Sequence, residues 1–172
     1  MQNDVQVHAI TGSTGAGVKP SATSHFSWRN NNVSWYKPFT HQHLGEINET
    51  LKALQSDAAN INFLPIRGNF TRGIFASAYT TFDGNIDDAY RIYEAYYANH
   101  PFTHICKKEL SLKMVVNTNN CLIHLHKHND LLLITSCLDN LLKGASGQAV
   151  ENMNLMFSWP QTTGLQLKAN VH

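Results

Sequence analysis

The chain carries almost no charge imbalance: 13 lysines and arginines stand against 12 aspartates and glutamates, a formal net charge of +1. Without a basic stripe it lacks the electrostatic footprint that phosphate backbones require, so nucleic acid is not an expected partner. No apolar run approaches the roughly 18 residues that a membrane-spanning helix needs, and no charged, apolar and small-residue leader opens the sequence. The expectation is a soluble, cytoplasmic chain with no membrane partner. Cysteine is scarce as well: Cys106, Cys121 and Cys137 are odd in number and widely spaced, which argues against a disulfide framework. The sequons at Asn32, Asn48 and Asn69 then carry no meaning as glycosylation sites. A length of 172 residues suits one domain, or one domain with a tail.

The residues that are present alternate between strand and helix spacing. Val5 to Ile10 reads as a strand and breaks into Thr11-Gly12-Ser13-Thr14-Gly15-Ala16-Gly17, a backbone free to adopt positive φ and to approach a ligand closely, or simply a turn. Ser, Asn and Thr from Lys19 to Asn32 predict a long surface loop. Leu44, Ile47, Leu51 and Leu54 share a helical face, which places a helix from about His41 to Asp57. His41 and His43 then sit at its N-terminus, where the helix dipole disfavours a protonated imidazole. Such a histidine suits general acid–base work or merely caps the helix, and spacing leaves both readings open.

Asn62–Ile66 and Arg72–Phe82 read as strands around a turn at Gly68-Asn69. Arg67 and Arg72 are candidates for holding a phosphate or carboxylate, or are solvated strand ends. A helix capped within Asp83-Gly84-Asn85 carries Ile86, Ala89, Tyr90, Tyr93 and Tyr97 on one face, a stripe suited to packing on a sheet. Further strands are expected at Phe102–Cys106, Leu112–Val116, Cys121–Lys127 and Leu131–Leu138. The order predicts an α+β fold, a mixed sheet with helices on one face. His124, His126 and His128 lie along a single strand and diverge, so they do not predict a metal site. Leu138 to Phe157 has helical spacing, with Asp139 as its cap. Gly144 and Gly147, three residues apart, each cost roughly 1 kcal/mol inside a helix and so call for a close neighbour.

Several of these blocks together resemble the N-acetyl-γ-glutamyl-phosphate reductases. Thr11 to Gly17 is similar to that family's Ser-Gly-x-Ser-Gly-Ala-Gly loop, His41 to Ile47 to its His-x-His-x-x-Glu-Ile helix start, and Arg72 to Ile74 to its Arg-Gly-Ile strand. Asn119-Asn120-Cys121 resembles its Ser-Asn-x-Cys turn. The most specific match runs through Asp139-Asn140-Leu141, Lys143-Gly144-Ala145, Gly147-Gln148-Ala149-Val150 and Asn152-Met153-Asn154-Leu155 to Thr162-Thr163-Gly164-Leu165. Thr11 stands where serine is usual, Val18 where a basic residue is common, and Gly45 where proline is frequent.

The resemblance implies a largely antiparallel, glyceraldehyde-3-phosphate-dehydrogenase-like C-terminal domain. Residues 1–157 would bind substrate and dimerise, and 158–172 would form a tail returning to a nucleotide-binding domain. It implies a cysteine thiolate that opens an acyl phosphate and hydride from NADPH that reduces the thioester, in arginine biosynthesis. The matching cysteine and a Rossmann glycine fingerprint are both missing, so the chain resembles the substrate half of a longer enzyme, inactive alone. Under the resemblance His41 is the catalytic acid–base, Tyr36, His43, Glu46 and Arg72 bind or position substrate, and Ser13, Gly15, Ala16, Gly17 and Asn154 approach NADP. A homodimer or homotetramer is implied. The alternatives are a non-catalytic binding or assembly module of the same fold and an aspartate-semialdehyde-dehydrogenase relative. If a second half is needed, the helix beyond Gly147 should be under-packed, displaced or covered by a neighbouring copy.

Overall fold

The computed structural model describes residues 3–57 and 59–169. Seven strands, β1 (Val5–Thr11), β2 (Ser34–Trp35), β3 (Ile61–Arg67), β4 (Ile74–Thr81), β5 (Thr103–Cys106), β6 (Cys121–His128) and β7 (Leu131–Leu138), form one sheet in the order β2-β3-β1-β4-β7-β6-β5. β1 with β3 and β5 with β6 are parallel, and the other four pairings are antiparallel. The mixed, largely antiparallel sheet is the one expected. The helices are α1 (Phe26–Arg29), α2 (His43–Leu54), α3 (Ile86–Tyr97) and α4 (Gly147–Met156).

Alternation along the strands sorts residues onto two faces. Ile123 and Leu125 of β6 and Leu132 of β7 meet Ala89 and Tyr90 of α3 in one buried cluster, joined by Ile86, Tyr93 and Tyr97. The aromatic stripe is therefore packing, as its spacing suggested. Asn85 caps α3 by accepting from the Asp88 backbone N–H at 2.8 Å, while Asp88 accepts in return from that of Asn85. That reciprocal cap is worth about 1 kcal/mol. The opposite face is covered at one end only, where Val115, Leu122 and Cys137 pack with Phe75, Leu110 and Leu112. Beyond it Leu64, Ile66, His8, Ile10, Ser77, Tyr79, Leu133 and Thr135 lie side by side in register, with no helix over them among the described residues.

Three local expectations are corrected. Leu112–Val116 is not a strand but a 3-10 turn over Leu112–Met114. Its burial follows a step of three, Leu112 and Val115 inward and Met114 45 % exposed, which a period-two reading mistakes for alternation. Gly73 sits against this turn with φ +108°, and a Cβ there would lie 2.6 Å from Leu112 Cδ1. The loop from Lys19 to Asn32 contains two helical turns, Ala22–Ser24 and α1. Buried Arg29 holds them by donating to the carbonyls of Thr23 and Arg67 and to Ser34 Oγ.

The third concerns the expected helix from Leu138 onward. Leu142–Ser146 is a π-turn, in which Gly144 N–H donates to Asp139 O and Ser146 N–H to Leu141 O, and α4 begins only at Gly147. The wider turn takes Gly144 and Gly147 off a common face. Gly147 is buried, and a Cβ there would fall 1.8 Å from Asn119 Oδ1, whereas Gly144 is exposed with nothing nearer than 3.6 Å. Past Gly147, Met156 is 81 % and Phe157 62 % exposed, as an under-packed helix end should be. The tail turns back at Pro160–Leu165, burying Leu165 and packing Gln161 against Glu151.

Candidate active site

One buried carboxylate organises the centre of the molecule. Asp139 is fully buried at the end of β7 and accepts from the backbone N–H groups of Asn117 (2.7 Å), Leu141 (2.8 Å) and Leu142 (2.9 Å) and from Arg72 Nη2 (3.1 Å). It was expected to cap a helix starting after Leu138; it instead binds the amides that open the π-turn, eight residues before α4, and anchors Arg72. Arg72 Nη1 donates to Asn117 Oδ1 at 2.7 Å. The guanidinium expected to hold substrate is thus committed inside the protein, a partnership spanning 67 residues.

Next to Asp139, Asn140 pins the glycine-rich turn. Its Oδ1 accepts from Gly73 N–H at 2.6 Å and its Nδ2 donates to Thr14 Oγ1 at 3.1 Å. Gly12, Ser13 and Thr14 donate backbone N–H groups to the carbonyls of Gly73, Phe70 and Thr71. A Cβ on Gly12 would lie 2.5 Å from Thr71 O, so glycine is required there by another backbone. Of the residues expected near a cofactor, Gly15 and Ala16 reach the main cleft, while Ser13 faces a smaller recess beside Arg29 and Phe70. Gly17 ends the turn in the left-handed region, φ +79°. Asn154 is 1 % exposed, with its amide nitrogen donating to the carbonyls of Gln161 and Thr163. The amide expected to face a nicotinamide is instead tied to the tail.

The main cleft, about 840 Å³, lies on the sheet face that α2 and α3 also cover. Its floor is Val7, Ala9, Phe63, Pro65, Ile74 and Ala76, consecutive same-face positions of β1, β3 and β4. Gly15, Ala16, Asn140 and Gly144 form one rim, and Tyr36, Lys37, His41, His43 and Arg67 another. Lys19 also lines it, and no aspartate or glutamate does. Lys37 and Phe39 hold left-handed backbone, φ 44° and 59°, which costs each residue roughly 1–2 kcal/mol and folds the segment over the floor. Backbone bonds from Tyr36 to Pro65 and from Phe39 to Phe63 fasten it to β3.

His41 is the best-defined group in this cleft. Its ring meets Phe63 edge-on (5.4 Å, 87°), Tyr36 (5.6 Å) and His43 (4.7 Å). Nδ1 accepts from the His43 backbone N–H at 3.3 Å, which places the imidazole proton on Nε2. Burial first, then the neighbouring His43, Lys37 and Arg67, pushes its pKa below the ordinary 6.5. One ring nitrogen ties the segment before α2 to its first residue, and Nε2 makes no hydrogen bond among the described residues. His43 lies exposed beside it, while the Glu46 carboxylate, in the first turn of α2, makes no hydrogen bond to either imidazole among the described residues.

No thiol lines the cleft. Burial raises Cys106, Cys121 and Cys137, the last to about 12, so all three are poor thiolates. His124 Nδ1 lies 3.0 Å from the Cys106 carbonyl, and His126 and His128 are exposed on the same strand. Among the described residues no group of three or more His, Cys, Asp or Glu is placed to hold a metal, and no helix is long and apolar enough to cross a membrane.

The helix start pointed to His41. Sequence reasoning missed the split between the two arginines: Arg67, not Arg72, reaches the cleft. It also missed that Asp139 and Asn140 join the glycine turn to the π-turn. Their early signals were the cap position read for Asp139 and the place of Asp139-Asn140 in the family block.

This geometry sits within known proteins as follows. The chain is 63 % identical over 169 residues to an N-acetyl-gamma-glutamyl-phosphate reductase of Parabacteroides distasonis, covering 98 % of this chain and 52 % of that protein. Reductases of the same name from Phocaeicola vulgatus and Bacteroides fragilis are 60 % and 62 % identical, with the same coverage. The chain therefore spans about half the length of the curated relatives it matches. Among solved structures, aspartate semialdehyde dehydrogenase II from Vibrio cholerae superposes with a TM-score of 0.70 at 14 % identity, over 90 % of this chain and 55 % of that one. A probable aspartate-semialdehyde dehydrogenase from Pseudomonas aeruginosa gives 0.69 at 11 % identity, with the same coverage. At such identities the likeness is one of fold. A family model described as semialdehyde dehydrogenase, dimerisation domain, matches residues 1–140, and the chain belongs to that family.

Proposed function

We propose that this chain is the substrate-binding and dimerisation half of an NADPH-dependent reductase that converts an N-acylglutamyl phosphate to the corresponding semialdehyde in arginine biosynthesis. The observation that carries the reading is His41, a neutral imidazole with Nδ1 satisfied by the His43 N–H and Nε2 left for a ligand in an anion-friendly cleft. Such a group donates a hydrogen bond, and then the proton, to the oxygen of a carbonyl under reduction, and takes it back in the reverse direction. Tyr36 and Phe63 hold the ring upright, and His43 is placed to contact substrate beside it. The nucleophilic thiolate comes from the other half of the enzyme, since the three cysteines here are outside the cleft and poorly ionised. NADPH, when bound, supplies the hydride, and Gly15 and Ala16 are the residues of this chain that would face it.

The uncovered sheet face, with Tyr79 and Ile10 more than a third exposed, is where two copies would pair across a two-fold axis. The exposed apolar end of α4, Met156 and Phe157, is the surface of this chain that would meet the nucleotide-binding half. A cytoplasmic setting fits three unpaired thiols. The test is to express the chain with its native upstream sequence and assay NADPH-dependent reduction of an N-acylglutamyl phosphate. The longer protein should turn over and the present chain should not. His41→Ala in the longer protein should lower turnover by roughly a hundredfold or more, and a rate near wild type removes His41 from the mechanism.

A further inference from the structure

We propose that Arg67 is the specificity residue of this cleft, reading a carboxylate of the substrate that lies several bonds from the reacting carbon; this rests on the reading of the cleft as an acylglutamyl-phosphate site. The three buried or half-buried arginines differ in their commitments. Arg29 donates to three backbone carbonyls and a serine hydroxyl, and Arg72 to Asp139 and Asn117. The Arg67 guanidinium donates no hydrogen bond among the described residues. Its Nε is buried and unpartnered, and its Cζ lies 4.5 Å from the centre of the Tyr36 ring. An unsatisfied buried guanidinium nitrogen costs free energy, and the stacked ring keeps the planar fork oriented for a two-pronged partner.

Among the described residues no carboxylate is placed to serve as that partner, because no aspartate or glutamate lines the cleft. Position along β3 selects which anion fits. His41 meets Phe63 edge-on, and Arg67 is four residues further along the same face, roughly 13 Å of strand. Tyr36 touches both groups. A phosphate bonded to the reacting carbon belongs beside His41. A guanidinium beyond Tyr36 matches an anion further along the substrate, either the glutamyl α-carboxylate or a carboxylate ending the acyl group.

The test titrates the present chain, labelled with ¹⁵N, and follows the Arg67 Nε–H resonance, which NMR resolves apart from the backbone. The probes are N-acetylglutamate, its α-amide, N-succinylglutamate and glutarate. The proposal expects N-acylglutamates to move Arg67 Nε–H together with His41. Loss of the response with the α-amide assigns the α-carboxylate, and at least tenfold tighter binding of the succinyl compound assigns the acyl end. Arg67→Met should weaken the carboxylate-bearing probes by about tenfold or more and level their advantage over the amide, and Arg67→Lys should restore part of it. If N-acylglutamates leave the cleft unmoved while glutarate shifts Arg67, the carboxylate assignment stands and the acylglutamyl reading falls. The proposal is overturned if ligand moves His41 but not Arg67, if no probe moves Arg67, or if the carboxylate preference survives in Arg67→Met.

Discussion

Replacing Asp139 with alanine should be among the most damaging single changes in this chain. The carboxylate is fully buried and receives four donors, three backbone N–H groups and Arg72. Removing one partner of a buried ion pair costs about 3–5 kcal/mol, because the other charge is stranded. Arg72 is 28 % exposed on its side chain, so water relieves part of that and the lower end applies, about 3 kcal/mol. The amides of Asn117, Leu141 and Leu142 also lose their acceptor, at about 1 kcal/mol or more each where water cannot follow. These costs overlap, and a total of about 4 kcal/mol is expected, a large share of the roughly 5–15 kcal/mol that holds such a domain together. In a domain of this length that lowers the melting temperature by about 8–16 °C. Urea unfolding at pH 7 followed by circular dichroism measures it, with Asp139→Asn as the near-isosteric control that retains part of the backbone bonding. A loss below about 1 kcal/mol in Asp139→Ala would refute the view that this carboxylate ties β7, the 117–120 turn and the π-turn together.

The two glycines of the π-turn region should behave oppositely. Gly147→Ala drives a Cβ into Asn119 Oδ1 and to 2.8 Å from the Leu142 carbonyl, costing about 1–3 kcal/mol in urea unfolding and loosening the tail that Asn119 holds through Leu165. Gly144→Ala, with its nearest atoms at 3.6 Å, should be neutral or stabilise by up to about 1 kcal/mol. Tyr79→Glu, on the uncovered sheet face, should convert a dimer to a monomer in sedimentation while leaving the urea midpoint of the monomer unchanged. Because His41 has a lower pKa folded than unfolded, its contribution to stability is present above pH 6.5 and lost as pH falls through the folded value. His41→Gln should therefore flatten the decline in stability on the acid side of 6.5, read from urea midpoints across pH.

What was legible beforehand follows from how locally each feature is encoded. Period-two runs such as Ile74 to Thr81 and Leu131 to Leu138, and the step of three to four in Ile86 to Tyr97, carry their own burial pattern, so six of the seven strands and α3 could be read within a residue or two, whereas the two-residue β2 carries no such pattern and was not expected. His41 was legible because a helix start is a local event. The roles of Arg67 and Arg72 were not, since each depends on a distant partner or on its absence: Asp139 for one, and an acid-free cleft for the other. The π-turn was hidden because Asp139 draws the amides of Leu141 and Leu142 to its side chain, which a regular helical wheel does not represent. Asn154 looked like a cofactor contact until the tail closed over its amide.

The most direct test of the central claim is the protonation state of His41, read from its ring nitrogens by ¹⁵N NMR of the chain. The account predicts a neutral ring at pH 7 with the proton on Nε2 and Nδ1 hydrogen-bonded, titrating below 6.5. An imidazolium at pH 7, or a neutral ring carrying its proton on Nδ1, would contradict it.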